Sequence, residues 1–77
     1  MTKRLDATYD PEADAAYFSL SPRIGPGKAA KQRVVGIPEN GELILDFDKR
    51  GRLLGLEILG AKNLLKRKTM KTLRRLN

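Results

Sequence analysis

The chain has 77 residues, with sixteen Lys plus Arg against nine Asp plus Glu, a formal net charge of +7, and no His, Cys or Trp. That length allows one small core, and the missing Cys and His exclude disulfides, thiolate metal ligands, a thiol nucleophile, the usual general base near neutral pH and the commonest zinc ligand. A net charge this positive points first to an anionic partner.

Short strand-like runs separated by turn residues fill residues 5–59. Leu5–Tyr9 is the first run and stops at Asp10-Pro11, because proline disfavours a regular element through the residue before it. Asp14–Leu20 is the second, and the tight connection between the two predicts a β-hairpin. Tyr17 and Phe18 then point to opposite faces. Ser21–Gly27, with two Pro and two Gly, is a loop. Lys31–Ile37 is a third run, closed by Pro38-Glu39-Asn40-Gly41, where Asn-Gly tolerates positive φ.

Glu42–Asp48 alternates, with Leu43, Leu45 and Phe47 on one face and Ile44, Asp46 and Asp48 on the other. Asp48-Lys49-Arg50-Gly51 turns the chain into Arg52–Leu59, whose Leu54, Leu56 and Ile58 share a face. Gly60 breaks the pattern. Ala61–Leu76 is rich in Leu, Lys and Arg without Pro or Gly, which predicts a helix, although Leu64, Leu65, Met70, Leu73 and Leu76 follow a helical stripe only in part. The expected fold is α+β: a small antiparallel sheet of four to five short strands in hairpins or a meander, with one C-terminal helix. Ile44, Leu53, Leu59 and Val35 are expected opposite the main core face. One helix covers one face, so a second copy is the simplest cover for the other and a homodimer is expected.

Charge divides the chain after Ala61. Residues 1–61 hold nine cations and all nine acids and are neutral; residues 62–77 hold Lys62, Lys66, Arg67, Lys68, Lys71, Arg74 and Arg75 with no acid. This reads as a β-rich domain over 1–61 with a basic helical tail over 62–77. Seven phosphate contacts would give a salt slope of roughly −6 as an upper bound. The tail has no aromatic to stack on bases and no Asn or Gln before Asn77 to read adenine, so nucleic-acid binding through it would be weakly sequence-specific. Docking on an acidic protein and a solvated or intramolecular role are the alternatives. The apolar stripe is poor for a membrane surface. The start, Met1-Thr2-Lys3-Arg4, has no apolar run behind it and every apolar stretch is too short to span a bilayer, so a soluble cytoplasmic protein is expected.

Three motifs bear on chemistry. Asp46, Asp48, Gly51 and Glu57 occupy the first, third, sixth and twelfth places of a calcium loop, with Leu53 at the eighth, but Arg50 stands where a ligand oxygen belongs and the flanks are strand-like. A hairpin turn explains these residues better than a calcium- or carboxylate-dependent activity. Asp10, Glu12 and Asp14 are expected in an exposed turn, where capping of backbone N–H groups is the simpler role, and Tyr9 and Tyr17 are expected to pack with satisfied hydroxyls. Gly25-Pro26-Gly27-Lys28 fails as a phosphate loop, with Pro22 where glycine is needed and Ala29 after the lysine. No catalytic residue, cofactor site or metal site is expected, and the chain reads as no enzyme.

Tyr9-Asp10-Pro11-Glu12-Ala13-Asp14-Ala15-Ala16-Tyr17, followed by Asp46-Phe47-Asp48-Lys49-Arg50-Gly51-Arg52-Leu53-Leu54-Gly55-Leu56-Glu57-Ile58-Leu59, resembles the bacterial Domain of Unknown Function 2283 family over roughly residues 8–62. The resemblance implies a small β-rich domain and brings no catalytic residues. Some members look like neighbours of small ribonuclease-type toxins, which implies an antitoxin-like role with a small toxin-like protein partner for part of the family. The loop Ser21–Gly27 and the basic tail depart from the family pattern. The expected function is therefore a non-enzymatic protein–protein interaction module, with a nucleic-acid-binding accessory acting through the tail as the alternative.

Overall fold

The computed structural model describes residues 5–21 and 29–76; the loop expected at 21–27 and the rejected phosphate loop fall almost wholly outside these residues. β1 (Ala7–Asp10) and β2 (Ala15–Ser19) form the first hairpin. Its turn is held by the Glu12 N–H donating to Asp10 Oδ1 at 3.0 Å and by Asp14 at φ 50°, a conformation that Asp tolerates better than most residues. β3 (Lys31–Ile37) pairs antiparallel with β4 (Gly41–Phe47), and β4 with β5 (Leu53–Leu59). In the β3–β4 turn the Asn40 N–H donates to the Ile37 carbonyl at 3.0 Å, and positive φ falls on Gly41, the second residue of the Asn-Gly dipeptide, and on Glu39, not on Asn40.

Six strands form one mixed sheet in the order β3-β4-β5-β2-β1-β6, against the four to five antiparallel strands expected. β5 keeps β4 on one side and takes β2 on the other, so β3 is set at the far edge instead of beside β2. The expected single helix is two one-turn helices, α1 (Ala61–Leu64) and α2 (Arg67–Met70), followed by β6 (Arg74–Arg75), which runs parallel to β1. Extended backbone at Leu65 and Lys66 separates the two helices. Packing explains the break: Leu64, Leu65, Met70 and Leu73 do not share a face of one continuous helix, and all four reach the core once the chain bends.

The core sits on one side of the sheet. Tyr9, Ala16, Ile58, Ala61 and Leu73 are buried, with Ala7, Phe18, Leu43, Leu56, Leu64, Leu65 and Met70 packed around them. The register places Tyr9, Ala16, Ile58, Leu43 and Val35 in one row across five strands, so Val35 shares the core side and does not oppose it. Gly41 and Gly60 meet between the β3–β4 turn and the start of α1. A Cβ on Gly60 (φ 82°) would overlap the Asn40 carbonyl, and one on Gly41 would overlap the Leu59 carbonyl, so both positions require glycine. No helix of the described residues is long and apolar enough to cross a membrane.

Candidate functional site

Strand alternation distributes the charges. All four acids within strands (Asp10, Glu42, Asp46 and Glu57) fall on the side away from the core, in register with Ala15, Leu59, Gly55 and Tyr17. Lys31, Arg33 and Arg75 pair with Phe47, Leu45 and Tyr9 and share the core side. That side is capped by α1 and α2, whose segment adds exposed Lys62, Lys66, Arg67, Lys68 and Lys71. One side of the molecule is therefore basic and the open side is acidic, whereas the sequence reading had a neutral domain and a charged tail. Lys31 and Arg33 were missed as members of the basic set. Their parity with Val35 groups them with that residue, and the register of β3 on β4 and β5 sets the side they share.

The seven tail cations do not act alike. Arg74 forms a two-pronged ion pair with Asp6, Nη2 to Oδ2 at 2.7 Å and Nε to Oδ1 at 3.2 Å. The hydrogen-bonded guanidinium holds the Asp6 carboxyl below its ordinary value, and the hydrogen bond to that carboxylate raises the value of Arg74. Arg75 stands over the Tyr9 ring, its Cζ 5.9 Å from the centroid, within cation–π range. Lys62, Lys66, Arg67, Lys68 and Lys71 form no ion pair among the described residues. Lys62 and Arg67 flank a shallow groove of about 340 Å³ floored by Leu65 and Met70.

Of the acids in the candidate motifs, Asp10, Asp14 and Asp48 hold backbone N–H groups. Asp48 Oδ1 accepts from the N–H groups of Arg50 and Arg52, both at 2.9 Å, and the Arg52 amide leads the contacts that keep its carboxyl below the ordinary range. Asp46 accepts from Gln32 Nε2 at 2.8 Å on the open side. Among the described residues no three acidic side chains are grouped to hold a metal ion. Asp14 joins two distant parts of the chain. Its Oδ1 accepts from the Tyr9 hydroxyl at 2.8 Å and the Lys62 N–H at 3.1 Å, and its carbonyl accepts from Gly60 and Ala61, both at 3.0 Å.

Both tyrosine phenols are pushed above their ordinary value of 10.0, Tyr9 first by its hydrogen bond to the Asp14 carboxylate, Tyr17 first by burial and then by the charges of Asp46 and Glu57. A raised folded-state pKa favours the neutral phenol. Its stabilisation is complete below the unfolded value and is lost as pH rises through the folded one. Since the chain holds two Tyr and no Trp, tyrosinate absorbance reports only these groups. Native protein should ionise neither phenol until above about pH 10, and in denaturant both should ionise together near about pH 10. A native phenol titrating at or below the denatured one would refute this environment.

The family model described as Protein of unknown function (DUF2283) matches residues 7–62. No curated protein and no solved structure matches the chain.

Proposed function

Because the chain belongs to the family described as Protein of unknown function (DUF2283), whose description assigns no activity to inherit, we propose from geometry that it is a non-enzymatic binding module whose basic side docks on nucleic-acid phosphates. One observation carries this reading: alternation sends every strand acid to the other side, leaving Lys31, Arg33, Lys62, Lys66, Arg67, Lys68 and Lys71 on a side where no strand acid opposes them. A surface of this kind binds through counterion release and reads little sequence. Missing His and Cys support a role without catalysis.

The test is fluorescence anisotropy of a short labelled DNA duplex, and RNA of the same sequence, across a salt series. The five cap cations, which form no ion pair among the described residues, contribute about −4.5 to the slope of log affinity against log salt, at about −0.9 per phosphate neutralised. Changing Lys62, Lys66, Arg67, Lys68 and Lys71 together to Gln should flatten that slope and weaken binding by roughly a hundredfold or more. Deleting the segment is the wrong experiment, because Leu73 and β6 belong to the core and sheet. Binding to neither nucleic acid at low salt, or equal binding by the Gln variant, would end this proposal.

A second reading, the antitoxin-like module, is favoured by the open side. There Val34, 57% exposed, lies in one row with Ile44, Glu57 and Tyr17, a mixed apolar and acidic strip suited to a cationic protein partner. Such a partner should be released by Glu42→Gln with Glu57→Gln and retained by the cap variant; the opposite pattern would assign it to the cap.

A further inference from the structure

We propose that the free edge of β3 pairs with β3 of a second copy, antiparallel about a two-fold axis at Val34, to give a continuous twelve-stranded sheet. The two edges of the monomer sheet are unlike. One ends in β6, only two residues long, so it offers little template for another strand. The other is β3, seven residues without proline or bulge in its pairing, exposed from Lys31 to Gly36 and presenting Val34 at 57% and Val35 at 40% exposure. Among the described residues no strand covers that edge. An uncovered, regular edge of this length is a template for pairing.

A second copy is the occupant for three reasons. Stacking two open sides would set Asp10, Glu42, Asp46 and Glu57 against their own copies, whereas edge pairing leaves both acidic sides in water. In a two-fold antiparallel pair of identical strands, residues that face each other must sum to an even number, so like parity meets like parity and each side of the sheet continues across the axis. The axis at Val34 joins all seven residues: Val34 faces Val34, Arg33 faces Val35, Gln32 faces Gly36 and Lys31 faces Ile37. No cation directly faces a cation, while an axis at Arg33 would oppose two guanidiniums. Each Lys31 also comes beside the other copy's Pro38–Asn40 turn, which holds Glu39.

The native chain has no cysteine, so a single introduced thiol tests the register. Val34→Cys places two thiols on the axis, with Cα atoms about 4.5–5.5 Å apart, inside the span a disulfide needs. Gln32→Cys, on the same side of the sheet, lies opposite Gly36 and away from its own copy. Under mild oxidation Val34→Cys should cross-link at least about tenfold faster than Gln32→Cys, because only the first pair meets disulfide geometry. Light scattering at high micromolar concentration should give twice the 8.6 kDa chain mass. Val34→Lys, at an exposed position that leaves the monomer core untouched, should give the single-chain mass with an unchanged circular dichroism spectrum. A monomeric wild-type chain, a dimer that Val34→Lys leaves intact, or equal cross-linking by the two cysteine variants would overturn the proposal. None of these measurements includes nucleic acid, so its failure and that of the phosphate-docking reading are separable.

Discussion

Leu73→Ala is expected to destabilise the protein by about 2–3 kcal/mol, the lower part of the usual cost of a buried leucine, because Leu73 lies near the core boundary at 9% exposure. A chain of this length has a total stability of roughly 4–12 kcal/mol, so the loss is a large share of it. Each kcal/mol moves the midpoint of a small domain by about 4–8 °C, and Tm should fall by roughly 10–20 °C. The substitution removes no charge and touches no position of the open side. Its effect therefore reports whether the C-terminal segment is part of the fold. Urea unfolding followed by circular dichroism measures it, and a change under about 0.5 kcal/mol, the level of a surface substitution, would mean that this segment does not seal the core.

Asp14→Ala should rank beside it, at about 3 kcal/mol. The carboxylate accepts two hydrogen bonds, and bonds to charged groups are worth roughly 1.5–3 kcal/mol each. Alanine would also hold φ 50° less readily than aspartate. The Tyr9 hydroxyl, on a residue only 4% exposed, would lose its acceptor. Asp14→Asn keeps an acceptor oxygen and should recover much of the loss. In a Tyr9→Phe background the cost of Asp14→Ala should shrink by about half, since contacting residues are not additive. Full additivity of the two changes by urea unfolding would break the link drawn here between Tyr9, Asp14 and the start of α1.

The hairpins were readable because their periodicity is local. Leu43, Leu45 and Phe47 alternate with Ile44 and Asp46, and Asp48 with Gly51 (φ 81°) turns the chain where turn chemistry said it would. The pairing of β2 with β5 was not readable, because no local pattern distinguishes that neighbour from β3. The C-terminal segment misled for a physical reason. Its residues are good helix formers, but a lone short helix is marginal, and burial of Leu65, Met70 and Leu73 prevails over propensity.

The seven cations were read as one group, yet folding separates them. Asp6 and Arg74 are 68 residues apart in the chain and meet only through β1 and β6. The basic character of Lys31 and Arg33 could be assigned to a side only once strand parity was applied across the whole sheet. What alternation made legible was which residues share a face; what it could not show was which face the last residues would cover.

The parallel pairing of β1 with β6 also sets an order of events during synthesis. The outer neighbour of β1 and the Leu73 that helps close its core are made more than sixty residues after β1 itself. Until those residues emerge, the nascent chain presents Tyr9, Ala16 and Ile58 without their full cover, and an unpaired β1 edge beside them. Such non-local closure is slow and exposed to aggregation. The sheet cannot close until those residues are made, and its early vulnerability lies at the opposite end from the β3 edge proposed to pair with a second copy.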